Sequence, residues 1–140
     1  MQPATRRVFL CLDIPGFSRR CGWPAQRAAA RTKTMKIDFS KLDGLIPAVI
    51  QDSETLEILM VGFMNEEALA KTRATGYATF WSRTRNKLWM KGETSGNQLQ
   101  VVETLVDCDE DTLVLKCKPL GDGVACHTGE RTCFYRKYED

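Results

Sequence analysis

The stretch IPAVIQDSETLEILMVGFMNEEALAKTRATG, residues 46–76, decides how this chain folds. Residues 46–51 and 56–64 are apolar runs of strand length, and the polar residues 52–54 between them signal a hairpin. Directly after the second run stands Asn65, whose side chain can accept from the free amides of a helix start. Glu66 and Glu67 place negative charge in the first turn, where the helix dipole favours it. Gly76 offers the left-handed conformation that ends a helix. The segment reads as strand, strand, then a helix over residues 66–75.

Further strands follow. Residues 77–83 and 87–91 are aromatic-rich strand candidates separated by a polar turn, and residues 92–97 form a polar loop. Residues 99–108 and 112–118 are β-branched and strand-like, and residues 133–138 supply the last strand. One helix among about seven strands predicts an α+β fold, predominantly antiparallel β with one main helix. A chain of 140 residues is one domain long. At this size dimerisation or a bound metal would help stability, because a small domain buries only part of its unfolded surface.

Residues 35–140 are expected to form that domain. Residues 1–34 show no periodicity and hold seven of the 20 basic residues but one of the 18 acidic ones, leaving the rest four charges negative. They read as a basic N-terminal extension, disordered and dispensable, whose deletion leaves activity intact. A mildly acidic body argues against nucleic acid held by phosphate contacts. No stretch approaches the ~20 apolar residues of a membrane span. The apolar run at residues 8–14 is broken by Asp13 and followed by Pro15, which makes a poor signal peptide. Without an export route the six cysteines should stay reduced, and clustered ones then point to metal or catalysis.

The densest chemistry lies at residues 107–111, DCDED. On a strand, Asp107, Asp109 and Asp111 project to one face and Cys108 to the other. Converging carboxylates suit a hard cation, Mg²⁺ or Ca²⁺. A straight strand would hold the outer two ~13 Å apart at ~3.3 Å per residue, so the chain must bend or end near Glu110 for all three to share one ion. The EF-hand alternative fails, since Thr112 and Lys118 stand where its loop needs Gly and Glu. A solvated acidic strand end remains open.

Cys126 and Cys133 flank the chain's single histidine, His127, with six residues between them. With Cys108 they make three thiolates, the ligand number of a catalytic zinc with one open position. In a closed structural site His127 would be the fourth ligand, but neighbouring residues of extended chain face opposite ways. That leaves His127 for proton transfer or for the surface. Cys117 alternates with apolar residues and reads as a core thiol.

Taken together, LIPAV (45–49), FMNEEAL (63–69), FWSRTR (80–85), LWMKGETSGN (88–97), VDCDED (106–111), ACHTG (125–129) and CFYR (133–136) closely resemble phosphoribosyl-AMP cyclohydrolase, in order and with the expected spacing. The resemblance implies a cytoplasmic, intertwined homodimer that uses zinc and magnesium. It implies Cys108, Cys126 and Cys133 as zinc ligands shared across the dimer, Asp107, Asp109 and Asp111 as magnesium ligands, and His127 as the proton-handling residue. The implied reaction opens the adenine ring of 1-(5-phosphoribosyl)-AMP at N1–C6, a step of histidine biosynthesis, by a zinc-activated water. Substrate contacts are expected from Ser82, Arg83, Lys91, Gly92, Glu93, Thr94, Ser95 and Gly96, which combine cations, hydroxyls and backbone amides. Arg85 and Lys87 are weaker choices. The rival readings are a zinc-dependent nucleobase or nucleotide deaminase, which would release ammonia, and a non-enzymatic zinc-binding interaction module with closed coordination.

Overall fold

In a computed structural model, which describes residues 36–138, the strand–strand–helix segment has the expected form. The extension over residues 1–34, with Cys11 and Cys21, lies outside the described residues. Strand β1 is Ile46–Asp52 and β2 is Ile58–Met64, paired antiparallel from Ile46↔Met64. Leu56 is in the connecting turn, not in β2, with a positive φ of 62°. Helix α1 spans Glu66–Thr75; the Asn65 side chain accepts from the Ala68 amide at 2.8 Å, and Gly76 ends it in left-handed conformation.

The remaining strands are β3 (Thr79–Ser82), β4 (Lys87–Met90), β5 (Leu99–Val106) and β6 (Leu113–Pro119). A four-stranded sheet runs β2-β1-β6-β5, and β3-β4 form a separate hairpin. All pairings are antiparallel except β1–β6, which is parallel. The expectation of a seventh strand over residues 133–138 is corrected: those residues form none. The Cys133 amide donates to the Leu59 carbonyl at 2.7 Å on the edge of β2, but no ladder continues from it.

The core follows from strand alternation. Ile46, Ala48, Ile50 and Asp52 are the buried positions of β1, and Leu113, Leu115 and Cys117 those of β6. Parallel register sets Ile50 beside Leu115 and Asp52 beside Cys117. Burial pushes the Cys117 thiol up to about 12, helped by the Asp52 charge, so it is an inert core residue. Phe80 and Trp89 pack with centroids 5.0 Å apart, and Phe80 lies so close to Gly62 that a side chain there would collide with it. Thr72 locks α1 to β3, accepting from the Thr79 amide at 3.0 Å. No described helix is long and apolar enough to cross a membrane.

Candidate functional site

Val106 pairs with Leu113, so residues 107–112 form the tip of the β5–β6 hairpin. The strand with alternating faces is replaced there by a tight turn. Glu110 takes a positive φ of 63°, and the Asp107 carboxylate accepts from the Asp111 amide at 3.0 Å and the Thr112 amide at 3.1 Å. Partial desolvation raises the Asp107 pKa, but these amides outweigh it and hold the group below the ordinary carboxylate value. The bend brings ligand oxygens of Asp107, Asp109 and Asp111 within 4.8 Å of one another.

Sequence reasoning missed Lys41. Its Nζ lies 3.0 Å from Asp109 Oδ2 and 3.0 Å from Asp111 Oδ2, and donates to the Asp109 carbonyl at 2.9 Å. These acceptors raise the lysine pKa above its usual range. An ammonium thus sits among the carboxylates as a stand-in cation. The oxygen donors and their spacing fit a hard divalent ion.

Cys126 and Cys133 meet in a loop closed by its own backbone. The Cys126 amide donates to the Glu130 carbonyl and the Ala125 amide to the Arg131 carbonyl, each at 3.0 Å. The Thr128 hydroxyl donates to Cys126 Sγ at 3.0 Å, and each thiol shifts the other's titration. Thr128 is the main reason the Cys126 pKa falls below the usual thiol value. Burial, then the Cys126 charge, push Cys133 the other way, against a smaller downward pull from Lys91. Cys126 is therefore the readier thiolate of a pair of soft donors that suits zinc.

Long-range contacts fasten this loop to the β1–β2 hairpin. Thr132 Oγ1 donates to the Ile58 carbonyl at 2.7 Å, Arg131 Nη2 to Asp52 Oδ2 at 2.6 Å, and Arg131 Nε to Glu57 Oε2 at 2.8 Å. Asp52 is only 3% exposed and also accepts from the Glu54 and Thr55 amides. Burial raises its pKa, but Thr55, Glu54 and Arg131 outweigh that and keep it lowered. A carboxylate on the buried side of β1 was readable from the alternation at residues 46, 48 and 50, but its partner was not.

Cys108 is exposed at the acidic tip. Among the described residues, the only converging group of three metal-ligating side chains is the aspartate triplet, so Cys108 does not join Cys126 and Cys133 within one chain. His127 is exposed beside the buried Cys126.

Lys91, Gly92, Glu93, Thr94 and Ser95 line a cavity of about 340 Å³ together with β4 and Arg85. Ser82, Arg83 and Gly96 are not among its lining residues. The buried Ser82 hydroxyl accepts from the Arg85 amide at 3.3 Å, and the Arg83 guanidinium lies 3.9 Å from the centre of the Phe63 ring. Gly92 has φ +78°, and a side chain there would strike the Asn97 backbone. The Asn97 side chain in turn accepts from the Asp122 amide at 2.8 Å. Lys91 lines the cavity and also exerts a small downward pull on the Cys133 pKa.

Comparison with known proteins bears on the same segments. The family model for phosphoribosyl-AMP cyclohydrolase matches residues 60–135, which include the cavity, the acidic turn and the thiol loop. The chain is 61% identical over 106 residues to phosphoribosyl-AMP cyclohydrolase of Geobacter sp. (strain M21), covering 76% of this chain and 84% of that protein. It is 60% identical, with the same coverage, to the enzyme of Citrifermentans bemidjiense. It is also 55% identical over 106 residues to the histidine biosynthesis bifunctional protein HisIE of Bacteroides thetaiotaomicron, again over 76% of this chain but 51% of that longer protein. With the match spanning every segment that carries chemistry, the chain belongs to the phosphoribosyl-AMP cyclohydrolase family.

Proposed function

We propose that this chain is a cytoplasmic, homodimeric hydrolase that opens the adenine ring of 1-(5-phosphoribosyl)-AMP at N1–C6 to the formimino-imidazole carboxamide ribotide, in histidine biosynthesis. The observation that carries the reading is the family match, which spans the thiol loop with Cys126 and Cys133, the converging aspartates and the cation-lined cavity. Cys126 and Cys133 would hold zinc with Cys108 of a second copy, and Asp107, Asp109 and Asp111 would hold magnesium. When bound, zinc supplies a Lewis acid that acidifies water, and magnesium supplies compensating charge.

The chain's own groups do the rest. The phosphoribosyl group on N1 leaves the purine cationic and C6 electrophilic. His127 takes the proton of the attacking water as general base. Collapse of the tetrahedral carbon then breaks N1–C6, and no ammonia leaves. Ser82, Arg83, Lys91, Gly92, Glu93, Thr94, Ser95 and Gly96 form the substrate-binding region. The exposed Val102 and Leu105 on the edge strand β5, and Phe134 and Tyr135 after the thiol loop, support a second copy as partner.

The test is incubation of the zinc- and magnesium-loaded protein with phosphoribosyl-AMP, followed by ultraviolet absorbance and an ammonia assay. Ring opening without ammonia is the expected result; ammonia release would make it a deaminase. His127→Ala should keep its zinc and lose ~10²–10⁴ in kcat. Unchanged kcat would take His127 out of the reaction.

A further inference from the structure

We propose that Arg85 and Lys87 are substrate-binding residues, holding one of the two 5′-phosphates of phosphoribosyl-AMP at the cavity lined by β4 and the loop after it. The inference rests on the function proposed above and adds two residues to it. The cavity's volume, about 340 Å³, falls in the range of small-ligand sites. Arg85, Lys87 and Lys91 all line it, against the single carboxylate of Glu93. This local excess of positive charge lies on a body whose residues 35–140 are net negative.

Two cations at the acidic turn and the thiol loop are already engaged. Lys41 pairs with Asp109 and Asp111, and Arg131 with Asp52 and Glu57. Among the described residues, no carboxylate lies within ion-pairing distance of Arg85, Lys87 or Lys91. An anion is the missing partner.

Backbone amides leave much of that task to side chains. The Glu93 amide donates to the Met90 carbonyl at 3.2 Å and the Gly96 amide to the Gly92 carbonyl at 2.9 Å, so both close the loop itself. Arg83 lies on Phe63. Arg85 instead lines the cavity, its backbone fixed through Ser82 Oγ, and its planar fork can grip two phosphate oxygens while Lys87 adds a point charge. Leu88, Trp89 and Met90 give the same cavity an apolar wall suited to a purine.

Steady-state kinetics on the metal-loaded full chain tests the proposal. Arg85→Ala and Lys87→Ala should each raise KM by about 10-fold with kcat within about threefold, the loss of one charge-assisted contact on an exposed side chain. Lys71→Ala, on the outer face of α1, is the charge control and should leave both constants unchanged. Should an alanine variant fail to fold by circular dichroism, the glutamine variant carries the test, and Arg85→Lys should restore part of the affinity. Two analogues, each lacking one 5′-phosphate, locate the contact: the variants should match wild type on the analogue missing the phosphate they hold. Unchanged KM, or equal losses on both analogues, would overturn the assignment. A wild-type chain that leaves the purine ring intact refutes the activity instead, and the subsite with it.

Discussion

The acidic turn and the thiol loop both gather residues whose chemistry suits cations, yet they are assembled in opposite ways. In the turn, three ligands come from five consecutive residues, and the hydrogen bonds that bend the chain run between Asp107 and its near neighbours Asp111 and Thr112. In the loop, local backbone bonds are joined by long-range ones that tie residues 131–133 back to residues 52, 57, 58 and 59. The turn is complete within one chain, whereas the third cysteine stands apart from the other two. A hard-cation site can thus be written locally. The zinc site proposed above is not local in this way: it would draw its third thiol from a second copy.

The sharpest break of this contrast is to remove a ligand from each side. Cys133→Ser should abolish turnover and bound zinc while leaving Mn²⁺ binding, read by electron paramagnetic resonance, unchanged; Asp109→Asn should do the reverse. Loss of both metals from either variant would mean that the two groups form one site.

Arg131→Ala tests whether the loop depends on its distant anchors. Removing a side chain that holds the ligand-bearing loop in place should lower zinc or cobalt affinity by about 10- to 100-fold and alter the cobalt–thiolate absorption. The same variant has a pH signature. Asp52 is held below its ordinary value of 3.8, so its contribution to stability is present above about pH 4 and fades as pH falls through its lowered folded value. Without the guanidinium its folded pKa rises, and acid unfolding should begin at higher pH than in wild type. An unshifted acid transition would show that the Thr55 and Glu54 amides suffice.

The smallest effect concerns the turn. Lys41 is partly exposed, and its pairs are of the kind usually worth little. Lys41→Gln should tighten Mg²⁺ or Mn²⁺ binding by only about twofold to fivefold, because the divalent ion no longer displaces an ammonium. Weaker binding would show that the lysine supports the ion.

Much of this was legible before any coordinates. Asn65 and Gly76 bounded the helix, the two apolar runs gave β1 and β2, and Cys117 read as a core thiol. These are local facts of capping, periodicity and burial, which act between residues a few positions apart. The demand for a bend near Glu110 followed from rise per residue alone.

Tertiary structure decided what local rules do not reach. The last expected strand failed because residues 133–138 make one backbone hydrogen bond to β2 and no ladder. Lys41 reaches Asp109 across 68 residues, and Arg131 reaches Asp52 across 79. No periodicity encodes such pairs; they depend on which elements pack together once the apolar faces are buried. Residue types named the chemistry, and the placement of strands chose which of those residues could act together.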